Sequence, residues 1–175
     1  MDVFYSNIKR WYLEMDKQSL MISLQYPQNT SVLKFTGDMN EYRRLNRMIG
    51  EDLGWVDRQI MPDDELESIL KNDSIKIYIL YQGKEVVGYT EIDFRNKDTA
   101  VLEYFGLIPR VRGKGLGKFL LQWTIDEVWK HSPQKFKLTT SEKDHPNALR
   151  NYLQAGFKII DEKIEKQAIL ENNKI

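Results

Sequence analysis

Apolar positions along the chain change their spacing several times, and each change marks an element. From Ile75 to Tyr81 (IKIYILY), β-branched and aromatic residues run together, and Gln82-Gly83-Lys84 breaks the run. Glu85 to Arg95 (EVVGYTEIDFR) resumes it, Asn96-Lys97-Asp98 is a second turn, and Thr99 to Leu107 (TAVLEYFGL) is a third run. Three strands joined by short turns predict an antiparallel meander. Pro109 ends it. Leu116 to His131 then takes a helical spacing, with Leu116, Phe119, Leu120 and Trp123 beside Leu121, Ile125 and Val128 on a broad apolar surface. After Ser132-Pro133, the spacing predicts a strand over Phe136 to Thr140. A short helix from about Pro146 to Gln154 follows, closed by Gly156, and then a last strand from Phe157 to about Glu165.

The first third is patterned more weakly. Ile8 to Met15 and Val32 to Phe35 read as short strands. From Asp38, the apolar residues Met39, Tyr42, Leu45 and Ile49 recur at helical intervals, and Gly50 or Gly54 would end that helix. Pro62 followed by Asp63, Asp64 and Glu65 announces another helix, because acids suit the positive end of the helix dipole. The element order predicts an α/β protein of the mixed α+β kind, with a largely antiparallel mixed sheet and helices on both faces. No repeat, low-complexity tract or linker interrupts it, so residues 1–175 are expected to form a single domain.

Composition narrows the chemistry. At 175 residues, roughly 70% of the chain's surface can be buried, so the core needs no disulfide or metal. Lys plus Arg number 26 and Asp plus Glu 26, and zero net charge argues against a dedicated nucleic-acid binder. Having no cysteine removes disulfide scaffolds, cysteine-ligated zinc and every cysteine nucleophile. His131 and His145 are the only histidines, too few for a His-rich metal site, so no metal is expected. The N-terminal residues lack the apolar core of a signal peptide, and no stretch reaches the ~18 apolar residues of a membrane span. A soluble, cytoplasmic protein with no membrane partner is the expectation.

The charge is unevenly spread. Between Tyr104 and Ile125 there is no acid, whereas Arg110, Arg112, Lys114 and Lys118 are present, a local charge of +4. There a strand runs through Arg112-Gly113-Lys114-Gly115-Leu116-Gly117 directly into a helix. Glycines at a helix start let unpaired first-turn N–H groups approach a ligand at the positive dipole end, which makes an anion cradle suited to diphosphate. A Walker loop fails, because the spacing to Gly117-Lys118 is one residue short and Phe119 follows. A Rossmann fingerprint fails as well, since it opens a βαβ unit rather than following a meander.

The pattern that fits is R-x-x-G-x-G, carried by Arg112, Gly115 and Gly117. With it, the sequence resembles the GNAT superfamily of acetyltransferases, whose motif is Q/R-x-x-G-x-G/A between a strand and a long helix. Asn147 to Phe157 (NALRNYLQAGF) is similar to the family's A-x-x-x-Y-x-x-x-G-F signature, and Val87-Gly88-Tyr89 stands in the place of its recurrent V-G strand. The resemblance covers about residues 75–165, which it implies to be an acetyl-CoA-binding core, with about residues 1–74 supplying N-terminal strands and acceptor-side helices. It implies a GNAT-like fold with a splayed cofactor strand and acetyl-CoA held by Arg112, Gly113, Lys114, Gly115, Leu116, Gly117 and Lys118. It further implies main-chain contacts from Leu107 and Ile108, and contacts to the pantetheine arm from His145 and Asn147. The activity implied is direct N-acetyl transfer to a primary amine in a ternary complex, the acceptor being a small molecule or a peptide.

Such transfer needs the amine deprotonated, the thioester carbonyl polarised and the leaving thiolate protonated. Tyr152 matches the family tyrosine and is the candidate acid. Glu91 is the candidate base and Glu103, on the neighbouring strand, its rival. Strand alternation places Val87, Tyr89, Glu91 and Asp93 on one face and Thr90, Ile92 and Phe94 on the other. Glu51 to Glu67 holds seven acids against Arg58 alone, a local charge of −6 that would attract a cationic amine. Trp55 and Arg58 are the candidate pocket residues there, with Trp11 as a further aromatic face. An alternative is a non-catalytic acyl-CoA-binding sensor or interaction module of the same fold, and a longer acyl-CoA donor is a third reading. Monomer and homodimer both remain open.

Overall fold

The computed structural model describes residues 3–17 and 24–170. The expected meander is present as β3 (Ile75–Gln82), β4 (Glu85–Asp93) and β5 (Thr99–Leu107), each antiparallel to the next. Before it come β1 (Val3–Asp16), β2 (Thr30–Lys34), α1 (Met39–Gly50), α2 (Asp57–Ile60) and α3 (Asp63–Leu70). After it come α4 (Leu116–Lys130), β6 (Lys135–Ser141), α5 (Ala148–Gln154) and β7 (Lys158–Leu170). The seven strands form one sheet in the order β2-β3-β4-β5-β6-β1-β7, antiparallel except for the β5–β6 pair. This is the mixed, largely antiparallel sheet expected.

Period-2 alternation divides the two faces. Ile77, Ile79, Val87 and Tyr89 pack with Tyr42, Leu45 and Ile49 of α1 and Leu66 of α3. On the opposite face Ile92, Leu102, Phe136 and Leu138 pack with Leu121, Ile125, Val128 and Trp129 of α4 and Tyr152 of α5. The broad apolar surface of α4 is used in full, because its first turns join the first cluster and its later turns the second. Helix α1 starts on a capping box: Asp38 accepts from the Glu41 N–H at 2.9 Å, and Glu41 accepts from the Asp38 N–H at 3.0 Å.

The outer strands depart most from the sequence expectation. β1 begins at Val3 rather than Ile8, and β7 runs to Leu170 rather than about Glu165, because the two pair with each other along most of their length. The short helix α2 lies in a segment whose spacing indicates none, and α5 begins two residues past Pro146. β1 sits inside the sheet, between β6 and β7. Isolated strand periodicity carries no information about such long-range pairing.

Gly88 shows how closely β4 and β5 approach under α4. A Cβ there would lie 2.4 Å from Leu107 Cδ2 and 2.8 Å from the Gly106 carbonyl oxygen, and the latter cannot rotate away. Gly88→Ala should therefore destabilise the protein by about 1–3 kcal/mol through overpacking, read as a lower urea midpoint at unchanged m-value.

Candidate active site

The site begins with one extra residue. Glu91 pairs with Tyr104 and Ile92 with Leu102, so Glu103 is left over on β5 as a bulge. β5 and β6 are in parallel register from Thr99–Lys135 to Leu102–Leu138, and their pairing stops where the bulge begins. Beyond it β5 follows β4, while β6 continues against β1. The two strands splay, and a cleft of about 560 Å³ opens between them.

The splay leaves backbone groups pointing into the cleft. The Ile108 N–H donates to the Val87 carbonyl at 2.9 Å, in the same register that pairs Gly88 with Leu107. Alternate residues of an antiparallel strand turn to opposite sides, so Leu107 and Phe105 turn their N–H and C=O groups away from β4. Both line the cleft. The expectation for Leu107 thus has its geometry, whereas Ile108 is corrected: its N–H is spent on β4 and its side chain is buried. Phe105, two residues earlier with the same orientation, takes its place. Strand parity counted back from Leu107 is the signal that would have found it.

At the end of β5, a single 3-10 turn over Pro109–Val111 leads into the glycine loop. Gly113 and Gly115 have φ of +75° and +85°, and a Cβ on either would meet nothing within 4 Å. A Cβ on Gly117 would meet only Leu107 Cδ1, at 3.6 Å. Two of these glycines are required by backbone conformation and none by protein packing, so the space they leave is open to a ligand. The first intrahelical bond of α4 is from the Phe119 N–H to Gly115 O, at 3.1 Å, leaving the amides before it free to bind an anion. Gly113, Gly115, Gly117 and Lys118 line the cleft, and a diphosphate fits this cradle.

Three loop residues serve differently from the expectation. Arg112 lines the cleft, but its Nε donates to Leu107 O at 2.9 Å, its Nη2 to Ile49 O at 3.1 Å, and its guanidinium pairs with Asp52. It ties α1 to the end of β5. Leu116 turns into the core, and the Lys114 side chain lies off the cleft lining. Across the cleft, His145 and Asn147 line the approach to α5, with the Asn147 N–H donating to His145 Nδ1 at 3.2 Å. Tyr152, from α5, is wedged between Phe105 and Phe157. Burial, and then the charge of Asp144, pushes its pKa far up, so the phenol keeps its proton. No protein group among the described residues bonds its hydroxyl, which borders the cleft.

The two carboxylates separate sharply. Glu91 is fully buried, accepts from Arg58 Nη2 at 2.7 Å and is bonded by the Tyr42 hydroxyl. Arg58 Nε also donates to the Tyr42 oxygen at 3.2 Å, and the guanidinium lies 5.1 Å from the centre of the Tyr104 ring. Burial works against the charge on Arg58, and Glu91, Tyr42 and Tyr104 together more than offset it. Neither Glu91 nor Arg58 lines the cleft. Arg58 is therefore not a pocket wall: it stands behind Tyr104 and neutralises Glu91. Trp11 is also elsewhere, its indole N–H donating to Glu162 at 2.8 Å.

Glu103, at the bulge, points into the cleft. Desolvation raises its pKa above the usual glutamate value, and the negative charges of Glu91 and Asp93 add to this against the opposing pull of Arg58 and Arg95. Trp55 lines the same cleft, packed edge-to-face on Tyr104 at 5.1 Å and resting against Gly106. Of the seven acids between Glu51 and Glu67, Asp57 alone lines the cleft. Asp63 instead pairs with Arg43, Glu67 with Lys71 and Asp52 with Arg112.

A splayed strand pair, a glycine turn at a helix start, a protonated tyrosine and a carboxyl share this one cleft. The sequence matches the Acetyltransferase (GNAT) family over residues 42–157, and the chain belongs to that family. It is 32% identical over 101 residues to the acetyltransferase PseH of Campylobacter jejuni subsp. jejuni, a match covering 55% of this chain and 60% of that relative. In solved structures it is similar to a GCN5-related N-acetyltransferase from Sphaerobacter thermophilus, with TM-score 0.65 and 13% identity over 94% of this chain and 52% of that one. It is also similar to a GNAT family acetyltransferase from Elizabethkingia anophelis with acetyl-CoA bound, with TM-score 0.60 and 16% identity over 77% of this chain and 80% of that one. The chain spans 60% of the length of that acetyltransferase and 52% of the length of the first of these structures. Among the described residues, no helix is long and apolar enough to cross a membrane and no cluster of ligating side chains could hold a metal ion.

The buried pair makes its own prediction. Arg58→Met leaves the Glu91 charge without its partner and should cost about 3–5 kcal/mol, whereas adding Glu91→Leu to it should recover most of the loss. Urea denaturation of the two variants at neutral pH checks both.

Proposed function

We propose that this protein transfers an acetyl group from acetyl-CoA directly to the primary amine of a small molecule or peptide. The observation that carries the proposal is the joining in one cleft of the free loop amides, the outward N–H groups of Phe105 and Leu107, the Tyr152 hydroxyl and the Glu103 carboxyl. Acetyl-CoA supplies the activated thioester. The amides at the start of α4 and Lys118 bind its diphosphate, and the exposed edge of β5 pairs with its amide-bearing arm and polarises the thioester carbonyl. His145 and Asn147 bound the same channel from the α5 side.

Glu103 takes the proton from the attacking amine, directly or through a water. Its raised pKa brings it nearer the working pH of a base, and its position at the bulge aims it at the acceptor side of the cleft. Glu91 holds Arg58 and Tyr42 in place behind this wall and does not touch the reactants. Asp57 and Glu103 make the acceptor side acidic, and Trp55 and Tyr104 add aromatic faces, so a cationic amine is the acceptor this lining favours. Tyr152, protonated and without a protein partner, donates to the departing thiolate. An uncommitted acid and base facing one cleft favour catalysis over a sensing role.

Thiol release from acetyl-CoA, followed with a panel of amines, tests the proposal. Tyr152→Phe should lower kcat about 100-fold while acetyl-CoA still binds, the usual worth of a general acid. A base works deprotonated, so the rate should rise with pH through the Glu103 pKa, above the usual glutamate range. Glu103→Gln should remove that limb along with about 100-fold of kcat, whereas Glu91→Asp should leave the limb in place. Gly117→Glu puts a carboxylate in the cradle without a clash in the fold, and should abolish acetyl-CoA binding by calorimetry with thermal stability nearly unchanged. Unaltered affinity would mean that the diphosphate lies elsewhere.

A further inference from the structure

The segment between α1 and α2, Glu51 to Val56, runs along the cleft as a bar, and Leu53 and Trp55 line the cleft from it. The fold fixes this bar at three points. At its start, Asp52 pairs with Arg112, which is itself bonded to the Leu107 and Ile49 carbonyls. At its end, the Trp55 N–H donates to the Gly50 carbonyl at 3.0 Å. The Trp55 ring fills the space beside two glycines, since a Cβ would lie 2.3 Å from it on Gly50 and 2.9 Å on Gly106. Between these anchors Gly54 turns with φ of +70°, and its carbonyl accepts from Gln167 Nε2 at 3.3 Å.

Gln167 belongs to another wall of the cleft. It lies on β7, opposite Ser6 of β1, and its Oε1 accepts from Arg10 Nη2 at 3.0 Å. Arg10 is steadied in turn by Glu165, whose carboxylate also accepts from the Tyr12 hydroxyl. Arg10 and Gln167 both line the cleft. Their polar groups are spent on each other and on the bar, so they stand as wall rather than as ligands. Through Gln167, segments 113 residues apart in the chain are bridged at the cleft.

We propose that this bridge makes Gln167 a specificity-determining residue, which restricts the acceptor to small-molecule primary amines and excludes peptide N-termini. The restriction rests on the transfer reaction proposed above and concerns its acceptor alone. Volume is the first support. The whole cleft is about 560 Å³, an ordinary size for one small ligand, and the amide-bearing arm of the cofactor must share it. The closed wall is the second. A peptide presenting its N-terminus brings a backbone and side chains directly behind the amine, and needs a groove that runs on past the reacting group. With the bar joined to Arg10 and Gln167, that path is shut on this side. Extended peptides are also held through main-chain bonds to a free strand edge, and β1, at this wall, is paired on both sides.

Two conjugates test the restriction without relying on turnover. In one, the sulfur of CoA is joined through an acetamide link to butylamine; in the other, the same link joins it to the N-terminus of pentaalanine. By calorimetry on the full chain, the peptide conjugate should bind about 30-fold less tightly than the butyl conjugate. Gln167→Ala removes the bridge and should cut that gap to about threefold. A change that merely loosened the fold would weaken both conjugates alike and leave their ratio where it was. Thiol release from acetyl-CoA with butylamine and with pentaalanine should follow the same order. Equal affinities of the two conjugates for the wild type, or a gap that Gln167→Ala leaves untouched, would overturn the restriction. A gap that closes in the variant while no amine releases thiol would uphold the restriction and count against the transfer reaction instead.

Discussion

The site depends on the bulge at Glu103. A sheet in which β5 kept its pairing with β6 to the end would be closed, with every backbone group satisfied and no room for a ligand. One additional residue shifts β5 relative to β4, parts it from β6, and leaves the N–H groups of Phe105 and Leu107 without strand partners. The same residue carries the carboxyl that faces the resulting cleft. A single irregularity thus opens the space, lines one wall with unpaired backbone and places a titratable group at its mouth.

Around that opening, the fold stiffens what the missing strand pairing would otherwise have held. Arg112 joins the end of β5 to α1 through the Leu107 and Ile49 carbonyls and Asp52. Arg58, Glu91 and Tyr42 fasten α1 and α2 to β4 behind Tyr104, and Asn46, which receives a bond from Gln59 and donates to the Tyr89 hydroxyl, extends the network. Buried charges are costly unless paired, and here the pair locks two helices over the strand that sets the bulge. The residues that look most catalytic by sequence, a glutamate beside aromatics on the neighbouring strand, turn out to be the fastening. The carboxyl that faces the cleft is the one displaced by the bulge.

Much of the fold was legible because its signals are local. The β3–β5 meander, the helix α4 and the glycine turn each announce themselves within a dozen residues, through periodicity or through backbone demands that glycine meets. Period-2 alternation correctly set Val87 and Tyr89 against Ile92 on opposite faces of β4. It could not say which helix covers Glu91, because Arg58 and Tyr42 reach it from 33 and 49 residues away in the chain. Nor could it place β1 between β6 and β7, where the two outermost strands of the sequence become neighbours.

By itself, then, the sequence determined the elements, the glycine turn at the start of α4 and the family, since each of these is written in short-range spacing and residue type. The tertiary structure decided which carboxyl meets the cleft, which backbone amides are free and which strand is left as the open edge. Those outcomes depend on register and on pairing between distant segments, and a shift of one residue between β4 and β5 reverses which groups face the cleft and which face the neighbouring strand.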